Sequence, residues 1–244
     1  MSAIVFVHGW GVRASVLDAL REALAARFET SAPALPGYGR ASCMPYTLDR
    51  LADEIAREAP AKCTVVGWSL GALVALAWAR SRPDQVERLA LLAGTPCFVQ
   101  RGGWACAMAG PVFDDFALSL VRDCESTLSR FAALQALGDR AAGNVARRLR
   151  QALAPCDAQS VGALAHGLAL LRDSDLRFEL ATVRQPTLIV HGARDAVVPI
   201  GAADYLAAAL PNARLKRIED AAHAPFISQT ERVAQLLAEH LDAR

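Results

Sequence analysis

Apolar and polar positions along the chain alternate between two periods. Short runs of β-branched or apolar residues are separated by amphipathic stretches of about 10 to 15 residues, which is typical of βαβ units and a parallel sheet. We predict six strands, at residues 4–7, 28–32, 64–67, 88–92, 187–190 and 215–218. Helices are predicted between the first four strands, at residues 15–27, 48–58 and 70–80, and Thr47 is the expected N-cap of the second helix.

The alternation stops after the fourth predicted strand. Residues 98–180 have helical spacing throughout, with breaks at Gly110-Pro111, Gly138, Pro155 and Gly162. We therefore expect an α/β fold with a mostly parallel sheet of about six strands, helices on both faces, and an all-helical cap inserted after the fourth strand. The core would comprise residues 1–97 and 181–244, and the cap residues 98–180. A separate domain is disfavoured, because glycine and proline are scattered here rather than gathered in a linker.

Composition excludes several classes of protein. A hydrophobic fraction of 53% with 21% charged residues excludes a disordered chain. With 26 basic and 25 acidic residues, the net charge of +1 argues against a general binder of nucleic acid or of anionic membranes. No apolar run approaches ~18 residues, so no membrane span is expected, and the first apolar run is too short for a secretory signal.

The cysteines indicate a compartment. They number six and form no Cys-x-x-Cys pair: Cys43, Cys63, Cys97, Cys106, Cys124 and Cys156. In a chain of 244 residues they are not the framework of a disulfide miniprotein. We therefore expect all six to be reduced core residues of a cytoplasmic protein.

Residues 64–71 read Thr-Val-Val-Gly-Trp-Ser-Leu-Gly and lead from a predicted strand into a predicted helix. Gly-x-Ser-x-Gly at such a turn is the pattern of a nucleophile elbow, which lifts Ser69 clear of the sheet. Gly67 and Gly71 avoid collisions that a Cβ would cause. The helix N-terminus and the N–H of Leu70 would face a developing oxyanion. The alternative is a glycine-rich βα turn without chemistry.

A serine nucleophile needs a base, and the base needs an orienting acid. After a nucleophile elbow the partners follow in the chain order serine, then aspartate or glutamate, then histidine, and the histidine comes after the last strand. This order selects His223 as the base. Among the other histidines, we expect His8 and His191 to be structural. His166 falls in the predicted cap, and His240 in an exposed C-terminal helix.

Two aspartates compete to be the orienting acid. Asp195 follows the fifth predicted strand and is the favoured acid, whereas Asp220 lies three residues before His223 and is expected to shape the loop. The segment His-Gly-Trp-Gly after the first strand would turn the N–H of Trp10 toward the oxyanion, unless Trp10 is simply a core residue.

These motifs stand in the order found in the α/β-hydrolase family, which the chain resembles from residue 4 to the C-terminal helix. More narrowly, it is similar to the carboxylesterase family that acts on the pimeloyl-acyl-carrier-protein methyl ester in biotin synthesis. The similarity rests on residues 8–11, 67–71, 96–98, 130–135 and 221–228. Members usually begin with one or two further strands, so we expect the edge hairpin to be absent here.

The resemblance implies a site and a reaction. It implies Ser69, Asp195 and His223 as a catalytic triad, and Trp10 and Leu70 around the oxyanion. It also implies an acyl channel along Phe131, Ala132, Ala133, Leu134 and Gln135. The implied reaction releases methanol from the ester of a carrier-bound pimeloyl group, without cofactor or metal, and we expect a monomer.

Three other functions remain open at this point. A general short-chain carboxylesterase or a C–C bond hydrolase would use the same three side chains. A non-catalytic ligand receptor is disfavoured by their joint presence. Dehalogenase and epoxide hydrolase chemistry is disfavoured, because it needs an aspartate where Ser69 stands.

Charge is unevenly spread within the predicted cap. Residues 126–150 contain five arginines and one acid, Asp139. Such a basic surface suits an acidic acyl carrier protein and its phosphopantetheine, because guanidinium groups pair well with phosphate and carboxylate. The candidate contacts are Arg130, Arg140, Arg147 and Arg150, the last three spaced to share one helix face. The alternative is an ordinary solvated helix face.

Overall fold

The fold is built on one parallel sheet of six strands. The computed structural model describes residues 3–39 and 46–243. The strands are β1 (Ala3–Val7), β2 (Glu29–Ser31), β3 (Cys63–Trp68), β4 (Val86–Leu92), β5 (Thr187–Gly192) and β6 (Ala213–Ile218). They lie in the order β2-β1-β3-β4-β5-β6, and each neighbouring pair is parallel. All six predicted strands are confirmed, each to within two residues at either end.

Helices connect these strands. They are α1 (Asp18–Leu24), α2 (Leu48–Glu58), α3 (Leu70–Ser81), α4 (Gly110–Arg122), α5 (Cys124–Ala136), α6 (Ala142–Gln151), α7 (Ala158–Asp173), α8 (Ile200–Ala209), α9 (Pro225–Ser228) and α10 (Thr230–Asp242). Helix α2 has the predicted bounds, and the Thr47 side chain caps it by accepting from the N–H of Arg50. No helix in the described ranges is long and apolar enough to cross a lipid bilayer.

Helices cover both faces of the sheet, as predicted. Side chains of β1 alternate between two buried clusters: Val5 and Val7 face one, while Ile4 and Phe6 face the other. Helices α2, α3 and α8 contribute to the first cluster, and α1 and α10 to the second. A parallel sheet buried on both faces needs apolar side chains at successive positions, which explains the continuous apolar runs in the sequence.

The chain between β4 and β5 holds α4, α5, α6 and α7, in agreement with the helical spacing. Its first part differs from the prediction. Residues 98–109 contain no helix and form isolated bridges, Val99 with Met108 and Arg101 with Trp104. The division into a core of residues 1–97 and 181–244 and a cap of residues 98–180 stays a prediction.

The expectation that every cysteine is reduced is wrong. Cys124 and Cys156 form a disulfide, with Cα atoms 5.9 Å apart. Cys124 begins α5 and Cys156 precedes α7, so helix packing brings together two thiols that lie 32 residues apart in the chain. Cys63, Cys97 and Cys106 are free, and Cys106 is only half-buried. Cys43 lies outside the described residues.

Candidate active site

Ser69 lies in the turn between β3 and α3. Its backbone φ is 55°, in the left-handed region that costs a non-glycine residue energy. The turn is too tight for side chains at its two glycines. A Cβ on Gly67 would lie 2.2 Å from the carbonyl oxygen of Gly71, and a Cβ on Gly71 would lie 2.1 Å from that of Val7. This geometry is the nucleophile elbow that the sequence pattern predicts.

Ser69, His223 and Asp195 form one hydrogen-bonded row. The Oγ of Ser69 lies 3.0 Å from Nε2 of His223, and Nδ1 of His223 lies 2.7 Å from Oδ2 of Asp195. His223 is completely buried, and the other two keep less than a tenth of their surface exposed. Each follows the carboxyl end of a strand, β3, β5 or β6, at one edge of the sheet. The row can therefore pass the serine proton to the imidazole.

Asp195 is held as an anion. Its Oδ1 accepts from the N–H groups of Val197 and Val198, at 2.8 and 2.9 Å. Burial opposes the charge, but His223 together with hydrogen bonds from His191 and His223 holds the pKa of Asp195 well below its usual range. An ionised carboxylate can only accept, so Nδ1 of His223 carries a proton and Nε2 faces the serine as an acceptor.

His191 contacts the same carboxylate. Its Nε2 lies 2.9 Å from the carbonyl oxygen of Val198 and 3.3 Å from Oδ2 of Asp195, so it donates in this direction. The bond to the Val198 carbonyl agrees with the structural role expected for His191, whereas its contact with Asp195 was not foreseen. The spacing of the two residues alone does not indicate this contact, because it depends on the path of the loop after β5.

Trp68, next to Ser69, also reaches His223. Its indole Nε1 donates to the carbonyl oxygen of His223 at 2.9 Å. The indole ring also lies 5.7 Å from the His223 ring and 5.1 Å from Phe226, measured between centroids. The residue before the nucleophile therefore fixes the backbone of His223.

Two backbone N–H groups stand free beside the row. In the part of the chain that the structure describes, no carbonyl accepts from the N–H of Leu70, the first residue of α3, or from that of Trp10. An unpaired N–H at a helix N-terminus suits a negative oxygen. Both groups thus have the hydrogen-bonding capacity that the predicted oxyanion role requires.

The Trp10 side chain joins the sheet to the helices between β4 and β5. Its Nε1 donates to the carbonyl oxygen of Leu164 in α7 at 2.9 Å. Its ring centroid lies 5.5 Å from those of Phe116 and Phe131. Trp10 is buried, as the core alternative also required. Its position places an aromatic wall, which includes Phe131, beside the loop that follows β1.

Gln135 lies against the His223 loop. Its carbonyl oxygen accepts from the backbone N–H of His223 at 3.2 Å, and its side chain is 1% exposed. Among the described residues, no acceptor meets its side-chain Nε2. A buried amide donor without a partner is costly unless something else binds it. Gln135 Nε2 is thus a buried donor without a partner among the described residues.

The five predicted channel residues point in different directions, because successive residues of a helix are about 100° apart. Phe131 and Gln135 share one face of α5. Ala132 packs with buried residues of α6, Ala133 is exposed, and Leu134 is half-buried. A channel role for Ala132 and Ala133 stays a prediction.

The arginines do not share one helix face. Helix α6 begins at Ala142, so Arg140 precedes it and instead forms an ion pair with Asp220, at 3.0 Å. The reason is that Gly138, at φ +88°, ends the preceding helical run and turns the chain toward the His223 loop. Within the described ranges, the other three contact neutral groups and no carboxylate: Arg130 bonds Thr127, Arg147 bonds Asn144 and Gln151, and Arg150 bonds Ser129.

The remaining histidines lie away from the proton path. His8 is buried between the carbonyl oxygen of Gly9 and the N–H of Leu35, and burial lowers its pKa to about 4. His166 stacks on Tyr46. The expectation that His240 is exposed is wrong: it is 2% exposed and donates to the carbonyl oxygen of Leu89, because α10 packs its apolar face against the sheet.

Among the described residues, no group of three histidine, cysteine or acidic side chains is placed to hold a metal ion. The sequence analysis counted Asp139 as a charge but did not predict its contact near the site. Asp139 bonds the backbone next to His223. Its partners Ala222 and Ser228 are more than 80 residues away in the chain, so no local pattern could indicate this contact.

Comparison with known proteins identifies proteins that are similar to this chain. A curated "Pimeloyl-[acyl-carrier protein] methyl ester esterase" of Aromatoleum aromaticum is 43% identical over 239 residues, 96% of either chain. One of Nitrosomonas europaea is 39% identical and covers 93% of this chain and 91% of its own. Among solved structures, an esterase from Exiguobacterium antarcticum superposes with a TM-score of 0.86 at 24% identity, over 100% of this chain and 92% of its own.

A family model matches residues 4–236, and its description is the alpha/beta hydrolase family. The match spans the elbow, the loops of Asp195 and His223, and the six strands apart from Ala3 of β1. It agrees with the parallel sheet and the hydrogen-bonded row of Ser69, His223 and Asp195. The chain belongs to the alpha/beta hydrolase family.

Proposed function

We propose that this protein is a serine carboxylesterase that hydrolyses the methyl ester of pimeloyl-[acyl-carrier protein], releasing pimeloyl-[acyl-carrier protein] and methanol. The observation that carries this proposal is the joint presence of the buried row Ser69–His223–Asp195 and of curated relatives with that activity at 37–43% identity over nearly the whole chain. A general esterase on the same fold would need only the row.

In the acylation step, His223 removes the proton of Ser69 as its Oγ attacks the ester carbonyl carbon. The carbonyl oxygen becomes an oxyanion, which the N–H groups of Leu70 and Trp10 stabilise. Loss of one such donor costs about 3 kcal/mol of transition-state stabilisation. His223 then gives its proton to the methoxy oxygen, methanol leaves, and the pimeloyl group stays on Ser69 as an ester.

In the deacylation step, water attacks the acyl group while His223 takes the water proton. The Ser69 oxygen leaves and is reprotonated by the same imidazole, so the carrier-bound pimeloyl group departs with a free carboxylate. Asp195 stays ionised throughout and stabilises the imidazolium that forms twice per cycle. No cofactor takes part in either step.

Side chains of α5 and Trp10 supply the site for the acyl chain. Trp10 and Phe131 form an apolar wall suited to methylene groups. The unpartnered Nε2 of Gln135 is a donor for a substrate oxygen. Phe131 and Gln135 thus serve the acyl site, whereas Ala133 is exposed and lies on another face of the helix.

Three arginines are free to bind the carrier protein. Arg130, Arg147 and Arg150 are exposed, and no carboxylate among the described residues neutralises them. Arg140 is neutralised by Asp220, so we assign it a structural role instead. An acidic partner would therefore meet its strongest attraction along α6 and the adjoining face of α5.

Substrate preference tests the proposal directly. We expect the purified protein to hydrolyse a carrier-bound pimeloyl methyl ester with a kcat/KM at least about a hundredfold above that for p-nitrophenyl acetate. We also expect the gene to restore growth of a biotin auxotroph that lacks its own pimeloyl esterase. Equal kcat/KM values, together with failed complementation by a folded protein, would leave a general short-chain esterase or a C–C bond hydrolase.

The carrier surface is tested by charge reversal. Arg147→Glu should raise KM for the carrier-bound ester about tenfold, because it places repulsion at the docking surface, and should leave p-nitrophenyl acetate hydrolysis unchanged. Arg232→Glu is the matched control, since it makes the same charge change on α10, an element that packs against α1. Equal effects of the two variants, or no effect of Arg147→Glu, would show that the arginines do not bind the carrier protein.

We propose the cytoplasm as the compartment and a monomer as the working state. Free Cys63, Cys97 and Cys106 accord with a reducing environment, whereas the Cys124–Cys156 disulfide is of a kind that is rare there. Differential alkylation of thiols in intact cells, followed by mass spectrometry, measures the state of that pair. Sedimentation measures the mass of the assembly.

A further inference from the structure

The turn between α5 and α6 rests on the loop that carries His223. The backbone N–H of Arg140 donates to the carbonyl oxygen of Asp220 at 2.9 Å, and the N–H of His223 donates to that of Gln135 at 3.2 Å. The Arg140 guanidinium also pairs with the Asp220 carboxylate. Two segments from distant parts of the chain are thus joined immediately beside the base.

Asp139 is the central side chain of this contact. Its Oδ2 accepts from the backbone N–H of Ala222 at 3.0 Å and from the hydroxyl of Ser228 at 2.9 Å. Its Oδ1 accepts from the N–H of Ala141 at 2.8 Å. The residue is 6% exposed, and no cation among the described residues pairs with it. A buried carboxylate bound only by dipoles is costly to retain.

The other side of the same loop rests on β5. A Cβ at Gly192 would lie 2.1 Å from the carbonyl oxygen of Ala222, and the N–H of Arg194 donates to the carbonyl oxygen of Ala221. Ala222 is therefore held between the end of β5 and the Asp139 carboxylate. The next residue, His223, cannot move without disturbing one of these contacts.

We propose that Asp139 is a positioning residue, which holds the His223 loop so that Nε2 stays within hydrogen-bonding distance of Ser69. This inference rests on the proposed function, in which His223 is the base. Through Asp139, helix α5, which carries Phe131 and Gln135, is coupled to the base. A shift of α5 would therefore change both the acyl site and the proton transfer.

Three variants test this role. Asp139→Ala removes every acceptor and should lower kcat for p-nitrophenyl acetate about tenfold to a hundredfold with KM within about twofold, because a misplaced base slows chemistry more than binding. Asp139→Asn keeps one acceptor and should give an intermediate kcat. Asp123→Ala is the matched control, because Asp123 caps the opposite end of α5 and accepts from the N–H of Ser126. It should leave kcat unchanged.

Two readouts separate positioning from loss of stability. The rate of Ser69 labelling by a fluorophosphonate should fall in parallel with kcat in the Asp139 variants. The low-field proton resonance of His223 Nδ1–H, bonded to Asp195, should broaden or vanish in Asp139→Ala. If that variant does not fold, Asp139→Asn is judged by the same two readouts.

The proposal is overturned if a folded Asp139 variant keeps kcat and labelling within twofold of wild type, or if Asp123→Ala loses as much. Failure of the proposed function has a different signature. In that case the wild-type protein would hydrolyse p-nitrophenyl acetate and react with the fluorophosphonate, yet leave the carrier-bound ester intact. The roles of Asp139 and of the carrier are thus decided by separate measurements.

Discussion

The loops at the carboxyl edge of the sheet and the four helices between β4 and β5 contribute to the site in different ways. At the sheet edge, side chains bond side chains: Ser69 meets His223 across 154 residues of sequence, and His223 meets Asp195 across 28. The hydrogen bonds that α5 and α7 supply here come from backbone carbonyls, that of Leu164 on Trp10 and that of Gln135 on His223, beside ring contacts of Phe131 with Trp10.

This difference teaches which positions are free to vary. A carbonyl contact survives most substitutions, so side chains of α5 and α7 can change with substrate without undoing the proton path. At the sheet edge, Ser69, His223 and Asp195 meet through their own side chains, so we expect replacement of any of the three to interrupt the row. Asp139 and Arg140, in the turn between α5 and α6, differ from these helices, since their side chains bond the His223 loop.

The most severe test of the comparison is Ser69→Ala. We expect kcat to fall by about 10⁵- to 10⁶-fold, because the covalent acceptor is lost. The midpoint of thermal unfolding should stay close to that of wild type, since the hydroxyl contributes only one hydrogen bond. Hydrolysis of p-nitrophenyl acetate measures the first, and calorimetry the second. Retention of a tenth of the activity would remove Ser69 from its role.

Asp195→Asn should have the next largest effect, a loss of about 10⁴-fold in kcat, because the amide favours the wrong tautomer of His223. Asp220→Asn is the matched control at the sheet edge, and we expect less than a tenfold loss from it. Steady-state kinetics on the same ester compares the two. A reversed order would transfer the orienting role to Asp220.

Reduction of the Cys124–Cys156 disulfide tests the stability of the helices between β4 and β5. The bond closes a loop of 32 residues, and the chain-entropy model gives it about 4 kcal/mol of the free energy of unfolding. Urea unfolding with and without dithiothreitol measures this difference, and the Cys124→Ser/Cys156→Ser variant should match the reduced protein. Thiol titration of the denatured protein should find two fewer thiols before reduction than after it. Identical stability in both states would contradict the bond.

Counted for one residue, the smallest predicted effect is a pH dependence of stability. Burial lowers the pKa of both His8 and His240 to about 4, against 6.5 in the unfolded chain. Between those values the unfolded chain binds more protons, so the free energy of unfolding is highest above pH 6.5 and falls as the pH drops toward 4. The loss is at most about 3 kcal/mol for each histidine.

Urea unfolding at pH 7 and pH 5 measures this slope. His240→Gln, whose amide can still donate to the carbonyl oxygen of Leu89, should remove part of the slope and leave kcat at pH 7 unchanged. An unfolding free energy that is flat between pH 5 and pH 7 would show that neither histidine is held neutral. A changed kcat would show that replacing His240 on α10 affects the row of Ser69, His223 and Asp195.

The sequence predicts the sheet well for a physical reason. In a parallel sheet the carboxyl ends of the strands meet at one edge, so a residue that follows a strand has a known neighbourhood before any coordinate is known. That rule placed Ser69, Asp195 and His223 together. It could not place His191 against Asp195, because that contact depends on the path of one loop.

Predictions for the helices were less successful because helix packing depends on the fit of many side chains. Spacing indicated a shared face for Arg140, Arg147 and Arg150, but Gly138 turns the chain before α6 begins. The disulfide and the burial of His240 arise from the same cause. In each case the partner lies on another element, and periodicity within a single helix carries no information about it.

The indole of Trp68 has a consequence for anyone who would transplant this serine motif. Grafting residues 67–71 into another scaffold transfers Ser69 together with the Trp68 indole, which is one partner of a hydrogen bond. The other partner of that hydrogen bond is the carbonyl oxygen of His223, 2.9 Å from the indole nitrogen. A graft of the pentapeptide therefore needs the His223 loop as well as the Asp195 loop, and randomised libraries should leave Trp68 unchanged.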